Sequence, residues 1–130
     1  MRATKPAVLI TDDDAGIRGL LSTLTRQTGC TVDTAANGVE AIQKLRARPY
    51  DLLLLDLMMP IMSGYDVVEE MKTMERRPAV IVVTAIHDDD ATNDLDGNVV
   101  SSILHKPFDV RAASDFIRVT ASAVHDERAA

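Results

Sequence analysis

The apolar runs of this chain end on residues that could do chemistry. "AVLIT" (7–11) runs into Asp12, Asp13 and Asp14, and "DLLLL" (51–55) runs into Asp56. "AVIVV" (79–83) ends at Thr84, and "SSILH" (101–105) is followed by Lys106 and Pro107. Gathered carboxylates repel: at an effective dielectric near 20, a pair about 4 Å apart costs roughly 4 kcal/mol. A hard divalent cation removes that cost, and Mg²⁺ takes oxygen ligands while keeping several waters. A carboxylate held beside such a cation and an ammonium is suited to attack a phosphoryl group and become an aspartyl phosphate. The positive charges stabilise the transferring oxygens, and the Thr84 hydroxyl would hydrogen-bond one of them. Plainer roles compete residue by residue. Acids at a helix start are favoured by the helix dipole, and Asp14 is expected to do only that. A strand-end threonine or a solvated lysine, taken singly, carries no chemistry. Their coincidence at strand ends is what points to a site.

The elements that must position these groups alternate. Apolar runs at 7–11, 31–36, 51–55, 79–83 and 101–105 read as strands. Between them, apolar residues recur at helical spacing. Ile17, Leu20, Leu21 and Leu24 are expected to face inward, with Gly29 as a stop. Ala41, Ile42 and Leu45 form a second stripe closed by Pro49, and Val67, Val68 and Met71 a third. In the last helix Asp109 is the expected N-cap, with Ala113, Phe116, Ile117, Thr120 and Val124 inward. The segment 87–100, "HDDDATNDLDGNVV", has only Ala91, Leu95 and Val99 as anchors, and Gly97 and Asn98 interrupt them. A short or irregular fourth helix is expected there. Strands that are continuously apolar belong to a parallel sheet covered on both faces. In such folds ligands sit outside the carboxyl ends of the strands. Asp56 closes the third strand, which is expected to be central, and Pro60 and Gly64 turn the chain away from it.

Composition bounds the class. The chain has 130 residues, 46% of them hydrophobic, and a net charge of −6. One domain is expected, with a core from about residue 6 to 125. The negative charge argues against nucleic acid as a direct partner. No apolar run approaches the roughly 18 residues of a membrane span, so no membrane insertion is expected. The start, "MRATKPAVLITDDD", has too short an apolar run for a secretory signal. Cys30 is the only cysteine, which fits a cytoplasmic setting and packing as a small apolar residue. His87 and His125 read as exposed, His105 precedes Lys106, and none has a second ligand at metal spacing.

The stretches "LITDDDAGIRGLL", "YDLLLLDLMMPIMSGYD", "VVTA" and "LHKPF", in this order and spacing, resemble the receiver domain of two-component response regulators over nearly the whole chain. The resemblance implies a flavodoxin-like, doubly wound sheet of five parallel strands in the order 2-1-3-4-5 with five helices. It implies that Asp56 accepts a phosphoryl group from the phosphohistidine of a sensor histidine kinase or phosphotransfer protein, and that the domain switches conformation to signal. Asp12, Asp13, Asp56 and the Met58 backbone carbonyl would serve Mg²⁺, Asp13 directly and Asp12 through water. Thr84 would be the switch hydroxyl, Lys106 the partner of the phosphoryl group, and the Lys106–Pro107 bond cis. Catalysis would be confined to the domain's own phosphorylation and dephosphorylation. Receivers often carry Tyr or Phe three residues before this lysine, whereas this chain has Ile103. The output partner is not legible. No effector domain is expected after residue 125, so the sequence is either a stand-alone receiver or a piece of a longer protein.

Two rivals remain at this stage. A haloacid-dehalogenase-like phosphatase would use Asp12 and Asp14 after the first strand, with Asp109 and Asp115 as its later acids. It leaves Asp56 unexplained. A receiver-shaped scaffold without phosphorylation leaves the acid, threonine and lysine set unexplained.

Overall fold

The computed structural model describes residues 5–87 and 95–129. Five strands and four helices alternate among the described residues: β1 (Ala7–Thr11), α1 (Ala15–Gln27), β2 (Thr31–Ala35), α2 (Gly38–Ala47), β3 (Leu52–Leu55), α3 (Gly64–Met71), β4 (Ala79–Thr84), β5 (Val100–His105) and α4 (Val110–Ala129). All strand pairs are parallel, in the order β2-β1-β3-β4-β5. This is the expected doubly wound sheet with β3 at its centre. Residues 88–94 of the expected fourth helix, Ala91 among them, lie outside the described residues. Beyond them Leu95 packs against the core, and Val99 is buried in a turn that leads into β5.

Side chains alternate across a strand, and the sheet sorts its apolar residues accordingly. Leu9, Leu53, Leu55, Val80 and Val82 meet Ala41 and Ile42 of α2 and Val67, Val68 and Met71 of α3 on one face. Val8, Ile10, Leu52, Leu54, Ile81 and Val83 meet Leu21 of α1 and Ile117 and Ala121 of α4 on the other. The four leucines of β3 are therefore all core residues, and truncating any of them to Ala would cost about 2–5 kcal/mol. A carboxylate carried on the end of this strand stands on the central, wholly buried strand of the sheet.

Two expectations about orientation are corrected. Leu20 is 39% exposed, and α1 instead buries Ser22 and Thr25 beside Leu21 and Leu24. The Ser22 hydroxyl donates to the Arg18 carbonyl at 2.7 Å, so it enters the interface with its hydrogen bond made. His125 is buried, because α4 runs on past Val124 and carries it under the sheet. There it lies 3.2 Å from Asp51, itself buried at the start of β3.

Candidate functional site

Asp12 and Asp56 are presented by continuations of the sheet ladder. The Asp12 N–H donates to the Ala35 carbonyl at 3.2 Å, and the Asp56 N–H donates to the Thr11 carbonyl at 3.0 Å. Ligand oxygens of Asp12, Asp13 and Asp56 all lie within 4.8 Å of one another. Asp12 and Asp56 are buried and Asp13 is exposed. Lys106 Nζ reaches in from the end of β5, 2.8 Å from Asp12 and 3.6 Å from Asp56. Its backbone is held to β4 by an N–H bond to the Thr84 carbonyl at 2.8 Å. The Lys106–Pro107 bond is cis, as expected.

Electrostatics follow from this packing. Burial, then the charge of Asp12, push the Asp56 carboxyl up to about 6, while Lys106 and the Met58 N–H pull it down. Burial works against the charge on Lys106, but the hydrogen bond and charge of Asp12, together with Asp56, outweigh it and hold that ammonium above its usual range. The centre is thus short of positive charge even with the lysine in place.

The loop after β3 makes room at the rim. Met58 sits in the turn that follows Asp56, its N–H 3.4 Å from the Asp56 carboxylate and its side chain exposed. A Cβ at Gly64 would run into the Asp56 carbonyl, and the Gly64 N–H donates to the Leu57 carbonyl at 2.9 Å. Only glycine lets α3 start this close to β3. Ser63 caps that helix through a reciprocal pair of bonds with Asp66. Thr84 is fully buried at the end of β4, and its Oγ1 accepts from the Ile86 N–H at 3.1 Å.

Asp14 does what was expected of it. Its carboxylate accepts from the Gly16 and Ile17 N–H groups at 2.8 and 3.1 Å as the N-cap of α1. Asp109 caps the start of α4, accepting from the Ala112 N–H at 2.8 Å, and Asp115 lies 3.7 Å from Arg118 on the exposed side of that helix. None of these three joins the acidic cluster among the described residues. The phosphatase reading loses its acids on this count.

The profile of the response regulator receiver domain matches residues 8–118. The chain belongs to the response regulator receiver family. Among its relatives is a CpxR homolog, a transcriptional regulatory protein of Haemophilus influenzae, 38% identical over 80% of this chain; the match spans only 45% of that protein. Another is sporulation initiation phosphotransferase F of Bacillus subtilis, 32% identical over 85% of this chain and 90% of its own length. Among solved structures, the response regulator TrrA of Thermotoga maritima, in complex with Mg²⁺ and BeF, is 30% identical with a TM-score of 0.78, covering 88% of this chain and 98% of that one. For a receiver, the cluster at the carboxyl ends of β1 and β3 is an acidic pocket compatible with magnesium and phosphorylation. No helix among the described residues is long and apolar enough to cross a membrane.

Two groupings escaped the sequence reading. His87 and His105 stack beside Lys106, with ring centroids 4.8 Å apart. At the opposite end of the sheet, Asp51 takes the Ala7 N–H at 2.9 Å and pairs with His125 and Arg128. A signal for the second existed: an aspartate opening a wholly buried strand must find partners. No such signal marked the histidines, because a side-chain bond to a backbone carbonyl leaves no trace in spacing.

Proposed function

We propose that this receiver takes a phosphoryl group onto Asp56 from the phosphohistidine of a histidine kinase or phosphotransfer protein. The observation that carries this is the approach of Lys106 Nζ to both Asp12 and Asp56 within a cluster of three carboxylates. An Asp56 oxygen attacks phosphorus, the phosphorus–nitrogen bond of the donor breaks, and the electron pair leaves on the imidazole nitrogen. Lys106 neutralises charge on the phosphoryl oxygens, and the Thr84 hydroxyl donates to one of them. Asp56 is mostly ionised at neutral pH, as a nucleophile must be.

The donor set fits a hard divalent cation: three carboxylates, all oxygen, with negative charge in excess. Asp12, Asp13, Asp56 and the Met58 carbonyl would hold Mg²⁺, which when bound draws charge from the phosphoryl oxygens. The chain's own catalysis is confined to forming and losing this acyl phosphate, in a cytoplasmic setting. The whole proteins in which relatives of this domain occur differ in length.

The test is exposure to acetyl phosphate with Mg²⁺ and measurement of intact mass. One added phosphoryl group is expected, absent from Asp56→Asn. A protein that takes no phosphate would be the receiver-shaped scaffold instead.

A further inference from the structure

We propose that His87 and His105 form a clasp that positions Lys106 and Thr84 for phosphoryl transfer. The parallel ladder between β4 and β5 ends at the pair Thr84–His105. Beyond it, two imidazoles continue the pairing. A His87 ring nitrogen, Nε2, lies 3.0 Å from the Lys106 carbonyl, and the His105 Nδ1 lies 3.0 Å from the Ile86 carbonyl. A carbonyl only accepts, so each ring must donate an N–H there. The two bonds run in opposite directions between the same two loops, and the rings stack at 19° between their planes.

With the backbone bonds, these form a closed circuit. Lys106 is fixed at both ends of its peptide unit: its N–H to the Thr84 carbonyl, its carbonyl to His87. Ile86 is fixed likewise, its N–H to Thr84 Oγ1 and its carbonyl to His105. Both imidazole links between the loop after β4 and the end of β5 therefore end on a residue that touches the candidate site or holds one that does. Both rings are exposed, so burial does not account for their stacking. His87 and His105 are positioning residues: they touch no reacting atom and act through Lys106 and Thr84.

The clasp's function rests on the phosphoryl-transfer reading above, but its existence can be tested without it. Free neutral histidine favours the Nε2–H tautomer, whereas the clasp demands Nδ1–H at His105 and Nε2–H at His87. Nitrogen-15 shifts of the imidazoles in the unmodified full chain are expected to show that unlike pair. Like tautomers at both rings would overturn the clasp whether or not Asp56 is phosphorylated. The functional arm measures phosphorylation by acetyl phosphate with Mg²⁺ across donor concentration. His87→Ala and His105→Ala are each expected to lower the maximal rate severalfold with little change in half-saturation, and the double variant to lose no more than either single one. His87→Gln and His105→Asn place an amide N–H where Nε2 and Nδ1 stand, and are expected to recover most of the rate. Wild-type rates in the alanine variants, or no rescue by the amides, would overturn the positioning role. A wild-type protein that takes no phosphate would instead refute the reading on which that role rests.

Discussion

Asp51 and Asp56 stand at opposite ends of β3, and the structure buries them equally, each 6% exposed. Their surroundings differ in kind. Asp51 is met by donors: the Ala7 N–H, His125 and Arg128, which also donates to the Tyr50 and Arg77 carbonyls at 2.7 Å each. Asp56 is met by another carboxylate at close range and by one ammonium shared with it. Equal burial thus yields a structural anchor at the amino end of the strand and an electrostatically frustrated carboxyl, its pKa raised, at the carboxyl end. The lesson is that burial alone does not mark a functional acid; the balance of partners does.

Exchanging the two roles gives the largest expected effects. Asp56→Asn is expected to abolish phosphorylation completely while leaving the fold intact. Asp51→Ala is expected to retain phosphorylation but to destabilise the protein by about 3 kcal/mol, since it strands His125 and Arg128 without their carboxylate. Mass spectrometry after acetyl phosphate and urea unfolding of both variants check this. A phosphorylated Asp56→Asn, or an unaffected Asp51→Ala, would break the contrast.

The next effect concerns pH. The Asp56 carboxyl is raised from 3.8 to about 6 in the folded metal-free protein, so the folded state holds that proton more tightly than the unfolded chain. Below the unfolded value both states are protonated and the group costs nothing. As pH rises from about 4 to about 6 the unfolded chain ionises first, and stability falls by up to roughly 3 kcal/mol. Above that the loss is constant. Asp56→Asn should therefore be more stable than wild type at pH 7.5 without metal, with the gap closing near pH 4. Urea melts at both pH values measure it, and a gap independent of pH would show that the crowding of Asp12 and Asp56 is relieved in some other way.

Much of this was legible beforehand because it lies in strand ends. Continuous runs such as "LLLL" announce a parallel sheet, and the residues that terminate them fall on one rim by topology alone. Asp12, Asp13, Asp56, Thr84 and Lys106 were all locatable in this way. Leu20 misled because helical spacing does not say which arc of a helix meets the sheet, and Ser22 could take the inner place once its hydroxyl had the Arg18 carbonyl. His125 misled because it lay past the last recognised apolar position, on a helix whose final turn is held by Asp51 and the Tyr50 and Arg77 carbonyls. Such contacts span more than 50 residues and have no local signature.

A smaller effect separates Asp13, which joins the acidic cluster, from its neighbour Asp14, which caps α1. Asp13→Asn is expected to weaken Mg²⁺ binding roughly tenfold or more. Asp14→Asn should leave it almost unchanged, because Asn caps a helix as well as Asp does. Metal titration monitored by a spectroscopic probe near the site distinguishes them, and equal losses would remove Asp13 from the metal's surroundings.

The smallest effect tests whether the carboxyl end of β3 leads into a turn that is also strained in its backbone. Ile61, five residues after Asp56, has φ 72° and is 84% exposed. It is the one residue other than glycine with positive φ among the described residues. A β-branched side chain in this region crowds its own backbone, at a cost of roughly 1–2 kcal/mol. Almost nothing is buried in return, so removing the side chain should lose no packing. Glycine adopts this conformation freely but gains freedom in the unfolded chain, which offsets part of the relief. Ile61→Gly is therefore expected to stabilise the protein by about 0.5–1 kcal/mol, with Ile61→Asn close behind because Asn tolerates the left-handed region. The sign is the informative part: at an ordinary exposed loop position, exchanging Ile for Gly would only loosen the unfolded chain and destabilise. Thermal and urea melts of the three proteins decide it, and a destabilised Ile61→Gly would show that the turn after Asp56 carries no strain.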